Sequence, residues 1–149
     1  MATLAKNKKA TLNYIILDTF EAGLVLAGYE VKAIRAGKAS LAGSYITING
    51  TEANLVGATI APYQPKNTPE DYDPERPRKL LITKKELEKL GRELNTAGLT
   101  IVPISLYNKR NKIKLEFALV RGKKKPDKRE SIKARDAKRS IERTLKTQY

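Results

Sequence analysis

The run GKKKPDKRESIKARDAKRSIERTLKTQY, from Gly122 to Tyr149, carries eleven Lys and Arg against four Asp and Glu. Its net charge of +7 is half of the chain's +14. A segment this basic and this poor in large apolar side chains cannot bury enough surface to offset the entropy of folding alone. Any stable core must therefore come from the residues before it. The sequence divides into a body, residues 1–121, and a basic tail, residues 122–149, expected to be disordered when free and helical when bound to a polyanion. In the tail, Ala137, Ile141 and Leu145 recur every four residues, with Ile132 roughly one turn further back. The remaining faces carry Lys128, Arg129, Lys133, Arg135, Lys138, Arg139 and Arg143. Such side chains suit phosphate contacts, which give affinity without reading sequence. A solvated tail that aids solubility is the bland alternative. A membrane-surface helix would need Trp or Phe on its apolar stripe, and this one has neither.

The 149 residues contain no His and no Cys. The usual general acid–base group, disulfides and thiolate metal sites are thereby excluded, and zero Cys fits a reducing cytosol. No P-loop, GxGxxG or zinc-ligand spacing occurs. Glu70, Asp71, Asp73 and Glu75 cluster, but inside a Pro-rich stretch beside Arg76 and Arg78, which reads as a flexible acidic loop. No catalytic residue, metal site or cofactor is expected, and a binding protein is favoured over an enzyme. No apolar run approaches the ~18 residues of a membrane span, and the first residues lack a signal-peptide pattern.

Periodicity organises the body. Residues 1–9 read as a loose basic arm. Leu12–Leu17 and Leu24–Leu26 read as strands, and Gly28–Lys38 as a short helix with Val31 and Ile34 on one face, ended near Gly37. Ser44–Ile48 and Ala53–Ala61 form a hairpin about Asn49-Gly50, a type I′ signal. Residues 62–78 hold five prolines and read as a loop. Thr83 and Glu86 make a capping box for a helix with a Leu87–Leu90–Leu94 stripe and a stop at Gly98. Leu99–Tyr107 is a strand in which Pro103 demands an edge or a bulge. Lys112–Val120 alternates, with Ile113, Leu115, Phe117 and Leu119 inward and Lys114 and Glu116 outward. The fold class is mainly β, a small closed barrel of about six strands with two helices and one hydrophobic core.

The body has its own basic groups at Lys6, Lys8 and Lys9, at Lys32, Arg35 and Lys38, and at Arg76, Arg78 and Lys79. Seven of the nine tyrosines and phenylalanines (Tyr14, Tyr29, Tyr45, Tyr63, Tyr72, Tyr107 and Phe117) are candidate stacking platforms, although core packing is the commoner role for any one of them. Nucleic acid is the partner these features favour.

Several segments, in order and with matching spacing, resemble one family. NKKATLNYIILDTFEAGLVLAGYEVKAIRAGK, SYITING, IAPY, RKLLITKKELEKL, GLTIVPISLY and RGKKKPDKRESIKARD are similar to segments of the SmpB proteins, small tmRNA-binding proteins of bacterial ribosome rescue. The resemblance runs from about Asn7 to Asp136. It implies an OB-type barrel that binds the tRNA-like domain of tmRNA (SsrA RNA). It implies delivery, with EF-Tu acting through alanyl-tmRNA, to the vacant A site of stalled cytoplasmic ribosomes, so that the nascent chain is tagged for proteolysis. The tail would lie along 16S rRNA at the 30S decoding centre, in the empty mRNA channel. Asn7, Glu21, Leu81 and Lys114 match positions the family uses for tmRNA, and Lys123, Lys124, Asp127, Lys128 and Arg129 match the segment needed for tagging. A monomer without membrane contact is expected. The chain departs from the family where Thr11-Leu12-Asn13 replaces an Arg-His-acidic triplet and where Ala33 replaces Ser.

Overall fold

The computed structural model describes residues 2–123 apart from 65 and 67. Its elements run β1 (Ala2–Lys6), α1 (Ala10–Asn13), β2 (Tyr14–Leu24), α2 (Gly28–Arg35), β3 (Ala39–Ser40), β4 (Tyr45–Asn49), β5 (Glu52–Val56), β6 (Thr59–Ile60), β7 (Arg78–Leu81), α3 (Lys84–Glu93), β8 (Leu99–Lys109) and β9 (Lys112–Gly122). Seven strands make one sheet in the order β1-β8-β9-β2-β7-β5-β4, and β3 pairs with β6. All pairings are antiparallel. The sheet curls until β4 packs against β8. It is not closed by hydrogen bonds among the described residues, since β1 and β4 remain its edges. The expected closed barrel of about six strands is thus replaced by a curled sheet of seven strands and a separate two-stranded pair.

Alternation in β9 is as the sequence implies. Ile113, Leu115, Phe117 and Leu119 enter the main core with Leu106, Ile101, Ile34, Leu55 and Leu90. Phe117 is fully buried and stacks on Phe20 at 5.5 Å. Burial of each such side chain stabilises the fold by about 1.5–3 kcal/mol. The opposite face of the same strand is also covered. Ala118 and Val120 pack with Val102 and Ala10 in a second, smaller cluster, contrary to the single core expected. Here α1 acts as a lid over the end of the sheet.

Other departures share one cause, pairing that local sequence does not encode. Residues 2–6 are not a loose arm but an edge strand on β8. The segment 10–26 holds one turn of helix and one long strand, where two strands were expected. The β4–β5 turn falls on Gly50-Thr51, with Gly50 at φ 57° and Asn49 paired to Glu52. One positive φ at the first position is the pattern of a type II′ turn. The type I′ pattern appears instead at Arg110-Asn111, with φ of 51° and 64°, between paired Lys109 and Lys112.

Three expectations hold. Helix α2 stops before Gly37 at φ 79°. The Thr83 hydroxyl accepts the Glu86 N–H at 3.2 Å. Pro103 lies at a bulge, with the β8–β9 register slipping between Pro103 and Ser105.

Candidate nucleic-acid interface

Gly23 sets the geometry of the sheet's outer face. On β2 it pairs with Leu81 of β7 on one side and with Lys114 of β9 on the other. A Cβ at this position would lie 3.4 Å from Leu81 Cδ1 and 3.8 Å from Lys114 Nζ. The missing side chain leaves the room into which those two side chains lean. Leu81 is 58 % exposed, although it is large and apolar. Glu21, two residues earlier on β2, shares this face, so Glu21, Leu81 and Lys114 come together as one patch.

Glu21 pairs directly with Glu116 across the ladder, an arrangement of like charges that costs stability unless it is offset. The offset comes from β8. The Tyr107 hydroxyl donates to Glu21 Oε2, and Lys109 Nζ approaches Oε1 at 3.2 Å. These hydrogen bonds, first from Tyr107 and then from Lys109, hold the Glu21 carboxyl below the usual carboxylate range. Burial, with the Glu21 bond, pushes the Tyr107 phenol up. Glu21 is therefore a fixed, ionised acceptor, suited to an exocyclic amine or a ribose 2′-hydroxyl.

Asn7 lies apart from this patch. Its backbone N–H donates to Ile104 O at 2.7 Å, and its side-chain Nδ2 donates to Pro103 O at 2.9 Å. It clasps the bulge of β8 and lines a cleft of about 390 Å³ with Lys9, Asn13, Tyr14 and Tyr45. Lys123, the last described residue, donates its N–H to Asn13 O at 3.0 Å. Lys124, Asp127, Lys128 and Arg129 lie outside the described residues.

A buried ionic cluster fixes the Pro-rich segment behind α2. Glu30 and Arg78 are fully buried and bridge at 2.8 Å, and Arg76 donates to the other Glu30 oxygen. Arg78 also donates to Ala58 O at 3.0 Å and to the Tyr72 hydroxyl at 3.0 Å, which itself donates to Ile60 O at 2.7 Å. Burial opposes the Glu30 charge. Hydrogen bonds from Arg76, the Ala27 N–H and Arg78 prevail, and the carboxyl is held below its ordinary value. Arg78 is thus a core cation, not part of a basic surface. Phe117, in the core, and Tyr107, 8 % exposed, offer no open ring to a base. Tyr45 and Tyr63 are exposed.

Sequence reasoning missed Tyr107 and Lys109 as partners of Glu21. The only signal was strand parity, which places both on the face of Lys114 once the β8–β9 turn is known. Among the described residues, no group of three or more acidic, His or Cys side chains could hold a metal, and no helix is long and apolar enough to cross a membrane.

A curled antiparallel sheet whose outer face gathers lysines around one fixed carboxylate defines a small basic β-sheet protein with a surface suited to polyanions. Comparisons with known proteins narrow the class. The SmpB protein family model matches residues 4–147. The SsrA-binding protein of Chromohalobacter salexigens is 50 % identical over 145 residues, covering 97 % of this chain and 92 % of the relative. That of Oleidesulfovibrio alaskensis is 47 % identical over 144 residues, with the same coverage of each. A chain from the solved structure described as "tmRNA-SmpB: a journey to the center of the bacterial ribosome" superposes with a TM-score of 0.67 at 40 % identity, covering 85 % of this chain and 92 % of that one. The chain belongs to the SmpB family.

Proposed function

We propose that this protein binds tmRNA in trans-translation. The observation that carries the reading is the convergence of Glu21, Leu81 and Lys114 about Gly23. An acceptor, an exposed apolar surface and a cation form, on this reading, one footprint. On this reading the curled sheet is an OB-type body that holds the tRNA-like domain. Asn7 acts by shaping the neighbouring loop through its clasp on Pro103. The complex enters the A site of stalled ribosomes in the cytoplasm as a monomer, EF-Tu acting through alanyl-tmRNA. Residues 122–149, with Lys123, Lys124, Asp127, Lys128 and Arg129, follow the empty mRNA channel along 16S rRNA. The role is binding and delivery, without cofactor or catalysis.

A gel-shift comparison of tmRNA with ordinary tRNA tests the first step, with tmRNA expected to bind more tightly. Equal affinity would reduce the reading to generic RNA binding. Deleting residues 123–149 is expected to leave tmRNA binding largely intact and to abolish tagging in a reconstituted stalled-ribosome assay. Loss of RNA binding in that variant would contradict the division of labour.

A further inference from the structure

Beyond the Glu21–Leu81–Lys114 patch, we propose that the RNA footprint continues across the end of α2 to Tyr63, where a base stacks. This proposal rests on the RNA-binding reading above. Three clefts join to make the path. The first, about 320 Å³, holds Leu81, Lys114 and Lys112 and reaches Arg35. Arg35 also lines the second, about 490 Å³, with Lys32 and Tyr63. Lys32 and Tyr63 line the third, about 240 Å³, together with Tyr29. Among the described residues, no Asp or Glu lines any of the three.

The path is held in place at each stage. Arg35 Nη2 donates to Asn111 O at 2.8 Å, which joins the last turn of α2 to the strained β8–β9 turn. Lys32 and Arg35, three residues apart and both exposed, fall on one side of the helix. Lys38 Nζ lies 5.8 Å from the centre of the Tyr63 ring and 3.4 Å from Tyr63 O. The ring is thereby held beside a cation while the residue stays 37 % exposed. The backbone leading into Tyr63 is anchored twice, Ala61 N–H donating to Lys38 O at 2.9 Å and Ile60 N–H to Pro74 O at 2.9 Å. An exposed aromatic ring set among cations on a rigid support is the arrangement that binds a single strand, the ring taking a base and the cations its phosphates. An acidic protein partner would use the cations but has no need of the ring.

Fluorescence anisotropy of a labelled tRNA-like-domain transcript, titrated with the full chain at several salt concentrations, tests the proposal. Tyr63→Ala is expected to weaken binding about tenfold, and Tyr63→Phe to retain it. Lys32→Gln is expected to lower the slope of log affinity against log salt by about 0.7–0.9. Lys85→Gln on α3 serves as a control and should lower it by less. Circular dichroism melting checks that each variant folds. Wild-type affinity in Tyr63→Ala with an unchanged slope in Lys32→Gln would overturn the extended footprint. It would leave the proposed function standing if Lys114→Gln still weakened binding. A Tyr63→Phe variant as weak as Tyr63→Ala would overturn stacking, as would equal competition by polyglutamate. Failure of the wild-type chain to bind the transcript would overturn both proposals.

Discussion

At the scale of single residues, two carboxylates are ionised for opposite purposes. Glu21 is exposed and held by Tyr107 and Lys109, ready to accept from outside. Glu30 is buried, and its acceptor capacity is taken up by Arg76, Arg78 and the Ala27 N–H. Removing the Tyr107 hydroxyl as Tyr107→Phe takes away the first of the interactions that lower the Glu21 pKa. The carboxyl signal in an NMR titration is then expected to move to higher pH, with weaker RNA binding. An unmoved titration would show that Lys109 alone fixes the group. For Glu30, an Ala substitution leaves the fully buried Arg78 guanidinium without its carboxylate partner. Breaking a buried pair in this way costs about 3–5 kcal/mol, which denaturant unfolding would read directly. Because the folded-state pKa of Glu30 is depressed, its contribution is present above the unfolded carboxylate value and is lost as pH falls through the folded one. The wild type should therefore lose stability in that acid range more steeply than the variant. Neither carboxylate's partners could be read from sequence. Arg76 and Arg78 lie 46 and 48 residues from Glu30, and the proline-rich stretch between them resembles an unattached loop.

At the scale of elements, legibility followed how local the signal was. Helix α3 was plain because Thr83, Glu86 and the leucine spacing act within one or two turns. Thr83→Ala is expected to cost about 1 kcal/mol, seen as a lowered melting temperature. Pro103 could be read as a bulge because a proline without an N–H cannot serve an interior ladder, and β8 lies between β1 and β9. In the β8–β9 turn Asn111 belongs to a residue type that tolerates the left-handed region, whereas nothing in Arg110 announces its positive φ. Arg110→Gly should relieve the left-handed strain and raise stability by about 0.5 kcal/mol, measured by equilibrium unfolding. A destabilised variant would mean that the turn carries no such strain. Strand β7, the sequence RKLL, carries no strand signal of its own, Arg78 falling in the Pro-rich stretch and the next three residues in no expected element. Only pairing with β5 and β2 makes it a strand.

For the whole molecule, charge and order of motifs gave the class and the family resemblance, while the path of the sheet was hidden in long-range register. The curl that brings β4 against β8 comes from bulges and twist, not from any strand's own pattern. Seven of the chain's fourteen net charges belong to the body, so its RNA affinity should fall steeply with rising salt even without the tail. Full-length chain and the truncation ending at Gly122 can be compared over a salt series. A flat profile for the truncation would remove phosphate contacts from the body.

Strand β2 also works as a ruler. Gly23, with Leu81 and Lys114 beside it, stands near one end, and Tyr14, paired with Gly122, stands at the other. At about 3.3 Å per residue the two points are roughly 30 Å apart. The amide of Lys123 is pinned to Asn13 at the start of that ruler. Because β2 is laddered to β9 along nearly its whole length, the distance cannot relax by slippage without turning every core residue outward. A two-residue insertion in β2 would keep the alternation yet misplace one anchorage against the other by roughly 7 Å. On the proposed reading, two attachment points for one large partner are thus spaced by a hydrogen-bonded scale rather than by a linker.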